Sequence, residues 1–441
     1  MTHQLKIALK QGIGVPPQAV VRAGEHVRRG QVIARCDETT LGVDLHSPAN
    51  GIVTSAADGY IVIEAAPDQT EFDYVRLEPG LSVADTVRRA GIIGLGGAGF
   101  PSYVKLGTRL DPSGYVLCNA AECEPVLEHN MHQIRQDPEG LLRAVAIAME
   151  ATGAGKGIIG MKLKHRTEIK LLTSAIKAQG IQNIRVLPLR NVYPVGEERA
   201  LIRDTLNQLL ETTQLPSAAN AVVFNIETLY AIRDAVDEGK PLMDKYLTVA
   251  GRLKDLAPGE TRVLRVPLGQ SVADLLEAFG GFAGETGEIL LGGPYTGRRG
   301  SSEDTVGKTL GGIIVTQPFE QLEASRVGII QCACGPLYPR LEQVARSMGG
   351  EIVGHEVCKN AVESRGTYKC MNPGNCPGQA EKVLALKKLG AQTILIGHCS
   401  DCTNTVMGSA PKLGLEVRHI TDHVLLTMGQ PVLRTFDETQ L

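Results

Sequence analysis

Residues 91–106 read GIIGLGGAGFPSYVKL and residues 115–125 read YVLCNAAECEP. In the first stretch Gly94, Gly96, Gly97 and Gly99 crowd together just ahead of Phe100, Pro101 and Lys105. Glycines so close let the backbone come up against a phosphate, and successive amide N–H groups leading into a helix supply donors and the positive end of a dipole. The second stretch is an apolar strand that runs out into Asn119, Glu122 and Glu124, and strand ends of this kind are where open α/β sheets bind ligands. The glycine spacing is neither the dinucleotide fingerprint with its ribose-binding acid nor a phosphate loop ending in Lys-Ser or Lys-Thr. A phosphorylated cofactor is the expectation; a tight glycine turn is the plain alternative.

Outward from this centre, residues 85–245 alternate apolar strands with longer helical stretches: YVLCNA, LLRAVAIAMEATGA, GKGIIGM, TEIKLLTSAIKAQG, IRVLPL. That alternation predicts a parallel sheet covered by helices. Residues 1–80 hold short β-branched runs between turn signals and predict a small all-β module. Its GEHVRRGQVIA and HSPANGIV runs resemble a lipoyl/biotinyl-like hammerhead, yet no lysine lies between Arg35 and Tyr60 to carry a prosthetic group. Residues 246–315 give two strands, the helix SVADLLEAFGG and a further strand EILLGG, the succession of a β-grasp unit. From 325 to 441 a second strand–helix alternation begins with VGIIQ and LYPRLEQVARSMGG and later brings GQAEKVLALKKLGA and QTILIGH.

With 45 basic against 48 acidic residues and no charged block, nothing offers a footprint for nucleic acid or anionic lipid. The N-terminus lacks the apolar core of a signal peptide and no segment has a bilayer-spanning apolar run, so a cytoplasmic protein is expected. Cysteines in a cytosolic chain are kept reduced, so clustered ones point to redox chemistry or metal binding. Seven of the ten cysteines follow residue 331.

Two more loops join the glycine stretch. YPVGEER (193–199) places Glu197 and Glu198 after a glycine, and FNIETLYAI (224–232) supplies Asn225 and Thr228. Amides and asparagines hold a flavin ring and phosphate, while carboxylates bind ribose hydroxyls; taken singly, each glutamate also reads as a solvated loop charge. GLGGAGFPSYVKL, CNAAECEP, YPVGEER and FNIETL, in that order, resemble the flavin/NADH subunit of respiratory complex I and its relative RnfC. The resemblance covers most of residues 85–315 and extends through an RnfC-like N-terminal β module. It implies FMN held by the glycine loop, Lys105, Asn119 and Asn225, Phe100 near the adenine of NADH, and Glu122, Glu197 and Glu198 on NADH. Complex I has Asn-Asn where this chain has Phe224-Asn225. The implied fold is a multidomain α/β chain: a barrel-sandwich-like N-terminal module, a Rossmann-like FMN/NADH domain, a β-grasp module like the soluble-ligand-binding domain, and a C-terminal cysteine-rich α/β unit.

RnfC continues into two ferredoxin-type cysteine runs and the complex I subunit into a four-cysteine motif, and neither occurs here. Instead the tail carries Cys332 and Cys334 (QCACGP), Cys358, Cys370 and Cys376 (KCMNPGNCPG), and Cys399 and Cys402 (GHCSDCTNTVM). Cys399 and Cys402 follow a strand and precede a helix expected to start near Thr403, the placement that favours thiolate and allows a disulfide. The expectation is a dithiol redox centre with Cys332 and Cys334 as a second relay pair and His398 beside the thiolate. The alternatives are a zinc knuckle or buried structural thiols, and an irregular iron–sulfur or zinc site drawn from Cys334, Cys358, Cys370 and Cys376. The tail GHCSDCTNTVMGSAPKLGLEVRHITDH on an RnfC-like body resembles the proline reductase-associated electron-transfer family PrdC. That implies NADH electrons passed through FMN and thiols to D-proline reductase, with a homo-oligomer and peripheral membrane association both open. Two rivals stand beside it: a peripheral subunit of a membrane Rnf-type complex, and a non-catalytic module held by zinc.

Overall fold

The computed structural model describes residues 4–434 apart from 324 and 365. Strands Gln4–Ala8, Tyr60–Ala65, Gly51–Ala57 and His26–Val27 form one antiparallel sheet, and three short strands (Gln18–Ala19, Val32–Arg35, Leu45–His46) form a second against it. The period-two alternation of these strands turns Leu5, Ile7, Ile61 and Ile63 inward onto Ile33 and Val53. This module backs the glycine loop: the Ile13 N–H donates to the Gly99 carbonyl at 3.0 Å. Gly99 has φ +69, and a Cβ there would sit 2.8 Å from Gly12 Cα, so both positions need glycine for backbone to touch backbone.

The central domain is a parallel sheet of β1 (Tyr115–Ala120), β2 (Lys156–Lys162), β3 (Ile184–Leu189) and β4 (Ala221–Asn225) in the order β3-β2-β1-β4. Helices on both faces let its strands read as continuous apolar runs. Helix α1 (Pro138–Thr152) starts with Asp137 accepting from the Gly140 amide and Pro at the first turn, and stops at Gly153 with φ +81. Its buried face, including Leu141, Val145 and Ala148, packs into the main core. Helix α2 (Glu198–Leu206) follows the YPVGEER loop, and α3 (Ile226–Glu238) follows β4 directly. The chain builds outward through β1, β2 and β3, then returns to the other side of β1, so the strand order reverses between β1 and β4. Ligand crevices form at such a reversal.

The third module is a mixed sheet of β5 (Asp244–Gly251), β6 (Thr261–Pro267), β7 (Ile289–Leu291), β8 (Arg298–Gly300) and β9 (Gly312–Val315), ordered β6-β5-β9-β7-β8 with β5 and β9 parallel. The last unit is again parallel: β10 (Arg326–Gln331), β11 (Glu351–Val357), β12 (Thr393–Ile396) and β13 (Glu416–His419), ordered β11-β10-β12-β13. Helix α4 (Tyr338–Ser347) joins β10 to β11, α5 (Ala380–Lys388) precedes β12, and α6 (Ser400–Ser409) follows it. A hairpin, Ala361–Ser364 with Thr367–Cys370, is inserted before α5. Here the order reverses between β10 and β12, making a second crevice. Among the described residues no helix is long and apolar enough to cross a membrane.

A buried ionic knot ties the third module to the last. Glu288, its side chain 0% exposed, accepts two bonds from Arg340 at 2.5 and 2.8 Å, one from Arg299 at 2.9 Å, and pairs with His423 at 2.8 Å. Burial opposes its charge, yet the hydrogen bonds from Arg340 and His423 prevail and hold its carboxyl well below the usual range.

Candidate functional site

The crevice between β1 and β4 opens into a cavity of about 800 Å³, within the roughly 300–1,000 Å³ range of pockets that take cofactor-sized ligands. One wall is the glycine loop, from Leu95 through Ala98, with the strand ends at Asn119 and Asn225. These two asparagines lie side by side in the β1–β4 register. The Asn119 amide donates to the Gly196 carbonyl at 2.8 Å, fixing its orientation. A Cβ on Gly96 would overlap the Asn225 amide nitrogen, whereas one on Gly97 would meet nothing within 4 Å. Gly97 therefore presents bare backbone to open space, as a phosphate or ring contact requires.

Glu122, Glu124 and Glu197 also line the cavity. Glu122 accepts from Asn130 at 2.8 Å, and burial raises its pKa. Glu124 is engaged by the third module: it accepts from the Tyr295 and Thr296 amides at 2.7 and 2.9 Å and from the Thr296 hydroxyl at 2.6 Å. Burial nevertheless pushes its pKa up to about 7. Glu197 caps α2 by accepting from the Arg199 and Ala200 amides at 3.0 and 2.9 Å, and burial raises it as well.

Other expected residues lie outside the cavity lining. Lys105 pairs with Glu198 at 3.1 Å and donates to the Val223 carbonyl at 2.9 Å, so each spends its charge on the other. Thr228 is buried and accepts from the Leu95 amide at 3.0 Å, which makes it a prop for the glycine loop. Phe100 contributes its carbonyl to the Gly94 amide, closing the loop on itself. Gly94 and Gly99 shape that loop from behind.

One part of the lining was not legible as such in the sequence: Ala333, Cys334 and Gly335 of the last unit. Tyr193, whose ring stacks on Tyr295 at 3.8 Å, donates its hydroxyl to the Cys334 carbonyl. Two hydrogen bonds join the same residue to the head of α6, Tyr193 N–H to Ser400 Oγ and Ser400 N–H to the Tyr193 carbonyl, both 2.9 Å. Cys123, in the ECEP motif, adds a further thiol to the cavity wall and accepts from the Gly196 amide at 3.2 Å. Tyr193 and Cys123 sit inside motifs that the sequence displays; Tyr295 has no signal there.

All seven tail cysteines converge on the second crevice. The Cys334 thiol lies beside those of Cys332 and Cys370, Cys332 also neighbours Cys358 and Cys399, Cys399 neighbours Cys402, and Cys402 neighbours Cys376. Cys332 and Cys399 follow the neighbouring strands β10 and β12, which brings the two pairs together. Helix α6 starts at Ser400, three residues before the expected Thr403, because Cys399 itself takes the N-cap position and Cys402 falls inside the first turn. Hydrogen bonds from Cys332 and Cys402 lower Cys399 to about 5. His398 touches Cys402, not Cys399: its Nε2 lies 2.6 Å from the Ile330 carbonyl, which fixes the proton there and leaves Nδ1 to accept from the Cys402 thiol at 3.1 Å. With the Cys402 thiol beside it, Cys376 accepts from the Gly378 amide and the Gln379 side chain, touches the Thr405 hydroxyl, and is lowered to about 6. All ten cysteines are free, and among the described residues no group of three or more His, Cys, Asp or Glu side chains is arranged to hold a metal ion.

Residues 87–234 match the Nuo51 FMN-binding domain, and residues 1–69 match the RnfC barrel sandwich hybrid domain. An RnfC-type component of the ion-translocating oxidoreductase complex of Rhodobacter capsulatus is 30% identical over 80% of this chain and 72% of its own. Its counterpart in the proton-translocating ferredoxin:NAD(+) oxidoreductase complex of Clostridium ljungdahlii is 30% identical over 68% of this chain and 67% of its own. Cobalamin reductase PduS of Citrobacter freundii is 37% identical over 53% of this chain, which spans 49% of that protein's length.

Proposed function

Because the chain belongs to the family of RnfC and complex I flavin-binding proteins, we propose that it takes electrons from NADH through FMN and passes them, by way of its cysteine thiols, to a separate reductase. The observation that carries this reading is a single cavity lined both by the glycine loop with two strand-end asparagines and by Cys334. The bare backbone at Gly97, with Asn119 and Asn225 close by, suits the phosphate and ring edge of FMN. Glu122 and Glu197, which line the same cavity, would accept from the hydroxyls of NADH. When bound, FMN supplies two-electron acceptance from a hydride and donation to a disulfide. The chain's own residues hold the reactants against each other, exclude water with the Tyr193–Tyr295 stack, and keep a thiol at the cavity wall.

The relatives' names give redox partners as unlike as cobalamin and ferredoxin, so the acceptor here is read from the tail. The GHCSDCTNTVM tail supports D-proline reductase, with the chain working in the cytoplasm where thiols stay reduced. A second reading, a peripheral part of a membrane electron-transport complex, is favoured by the 80% coverage against the Rhodobacter protein. The deciding measurement is the absorption spectrum of anaerobically purified protein, with added FMN, before and after NADH, alongside a thiol count and metal analysis. Flavin bands that bleach on NADH while thiols appear support the reading. No bleaching with FMN present, and stoichiometric zinc, would sink it in favour of a structural module.

A further inference from the structure

The contacts among the tail sulfurs have a direction. Cys334 is half-buried and lines the flavin cavity; Cys376 is half-buried and does not. Between them Cys332, Cys399 and Cys402 are 3%, 4% and 0% exposed. We propose that Cys376 is the outlet of the protein, the thiol that attacks a disulfide of the acceptor, with Cys402 as its resolving partner and Cys399, Cys332 and Cys334 as the inward relay to the cavity wall. This rests on the reading of the cavity as a flavin site for its inner end only.

Each step is a thiol–disulfide exchange. The Cys376 thiolate attacks one sulfur of the acceptor disulfide, forming a mixed disulfide and releasing one acceptor thiolate, which takes a proton from water. Cys402 then loses its proton and attacks the Cys376 sulfur. The Cys376–Cys402 bond forms, the mixed bond breaks, and the second acceptor sulfur leaves with the proton that Cys402 gave up, so two electrons have crossed, with one proton from Cys402 and one from water. Inward, Cys399 attacks Cys402 and frees Cys376, Cys332 attacks Cys399 and frees Cys402, and Cys334 attacks Cys332 and frees Cys399. The oxidised pair is then Cys332–Cys334 at the cavity wall, where NADH is the reductant that restores two thiols.

The geometry favours this order over its reverse. The Cys376 sulfur accepts from the Gly378 amide and the Gln379 side chain of its own loop and faces Cys402 and Thr405 on α6, the arrangement that holds a thiolate ready near the surface. Cys402 has its S–H aimed at His398 Nδ1, so it stays protonated and in place until its partner has reacted. The Cys376 amide is itself pinned by Asp401 at 2.6 Å, tying the outlet loop to the first turn of α6 that carries Cys402.

The test uses the full chain, fully reduced and desalted without oxygen, and one equivalent of the aromatic disulfide 5,5′-dithiobis(2-nitrobenzoate). Both thionitrobenzoate halves should be released and peptide mapping should find Cys376 joined to Cys402. In Cys402→Ser one half should be released and the other retained on Cys376, and Cys376→Ser should slow the reaction about tenfold or more. Label on another cysteine, or a different first disulfide in the unsubstituted protein, overturns the proposal without relying on any variant's folding. Stoichiometric iron or zinc that blocks the reaction overturns it too. For the inner half, protein carrying the Cys376–Cys402 disulfide is given NADH and FMN. Two thiols should return in the unsubstituted chain and none in Cys399→Ser; recovery in that variant refutes the relay order. Failure of NADH to bleach FMN would instead count against the flavin reading, leaving the outlet result standing.

Discussion

Gly96→Ala is the sharpest probe of the cavity. The added methyl carbon would overlap the Asn225 amide nitrogen and lie 2.9 Å from its Cγ and 3.2 Å from its Cβ. Ordinary non-bonded contacts are about 3.5–4.0 Å, so the amide nitrogen must retreat by about 1.5–2 Å. A shift of that size breaks a hydrogen bond from Asn225 to a bound ring and leaves the ring's partner atom unmet, about 1–3 kcal/mol. At about 1.4 kcal/mol per decade, FMN should bind roughly 5- to 150-fold more weakly. Gly97→Ala is the companion: with nothing within 4 Å of its Cβ, it should leave the melting temperature unchanged and still weaken FMN, because the methyl would occupy the ligand's space. Affinity is read from quenching of FMN fluorescence on titration with apoprotein. A cycle with Asn225→Ala closes the argument, since Gly96→Ala should add little once the amide is gone. Unchanged FMN affinity in both glycine variants, or full additivity in the cycle, would refute the placement of the flavin.

Glu288→Gln should destabilise the chain by about 3–5 kcal/mol, because Arg340 and Arg299 lose a buried counter-charge. The Glu288 pKa is lower in the folded state than unfolded, so this contribution is present above the ordinary glutamate pKa and lost as pH falls below it. Denaturant midpoints of the two proteins should therefore converge from about pH 5 towards pH 3, and a pH-independent difference would show the knot is not ionic. Glu124 has the opposite sign: its folded pKa, raised to about 7, makes ionisation weigh against folding as pH climbs from the unfolded value through 7. Melting temperatures of apoprotein should fall over that range by more in the unsubstituted chain than in Glu124→Gln; equal slopes would mean the three donors keep Glu124 ionised throughout. Arg199→Lys should loosen the Cys370 hairpin, because an ammonium cannot span the carbonyls of Leu210, Cys370 and Met371 that the guanidinium fork reaches. Proteolysis within 361–373 should speed up, and an unchanged cleavage rate would remove that arginine from its structural role.

The parts of the fold that were legible were those written in local periodicity. Strand runs such as YVLCNA and QTILIG, the glycine loop, and the asparagines at strand ends all fell where the alternation put them, because a residue after a buried parallel strand has only the sheet's end to occupy. Side-chain destinations were less legible. Lys105 and Glu198 are far apart in sequence, so nothing local announced that they neutralise one another, and Thr228 reads like a ligand group until its hydroxyl is seen on the Leu95 amide. The C-x-x-C does fall at a helix start, but the helix begins at Ser400 because a cysteine can stand at the N-cap. Least legible was the meeting of Cys332, Cys358, Cys370, Cys376 and the Cys399 pair. That depends on β10 and β12 being neighbours while β11 and a hairpin lie between them in the chain, a fact of topology with no trace in spacing.

Helix α2 is capped by Glu197 at the cavity and sends Arg199 and Arg203 out to the carbonyls of Cys370, Met371 and Pro373. Anyone grafting this cysteine-rich tail onto another flavin-binding half would cut naturally between β9 and β10, and that cut leaves both arginines, and Tyr193 with its grip on Ser400, on the discarded side. The transplanted hairpin would arrive with its carbonyls unmet and its helix head untethered. A chimera that conducts must carry residues 193–210 along with the tail, so the unit that could be exchanged between such proteins is discontinuous in the gene although contiguous in space.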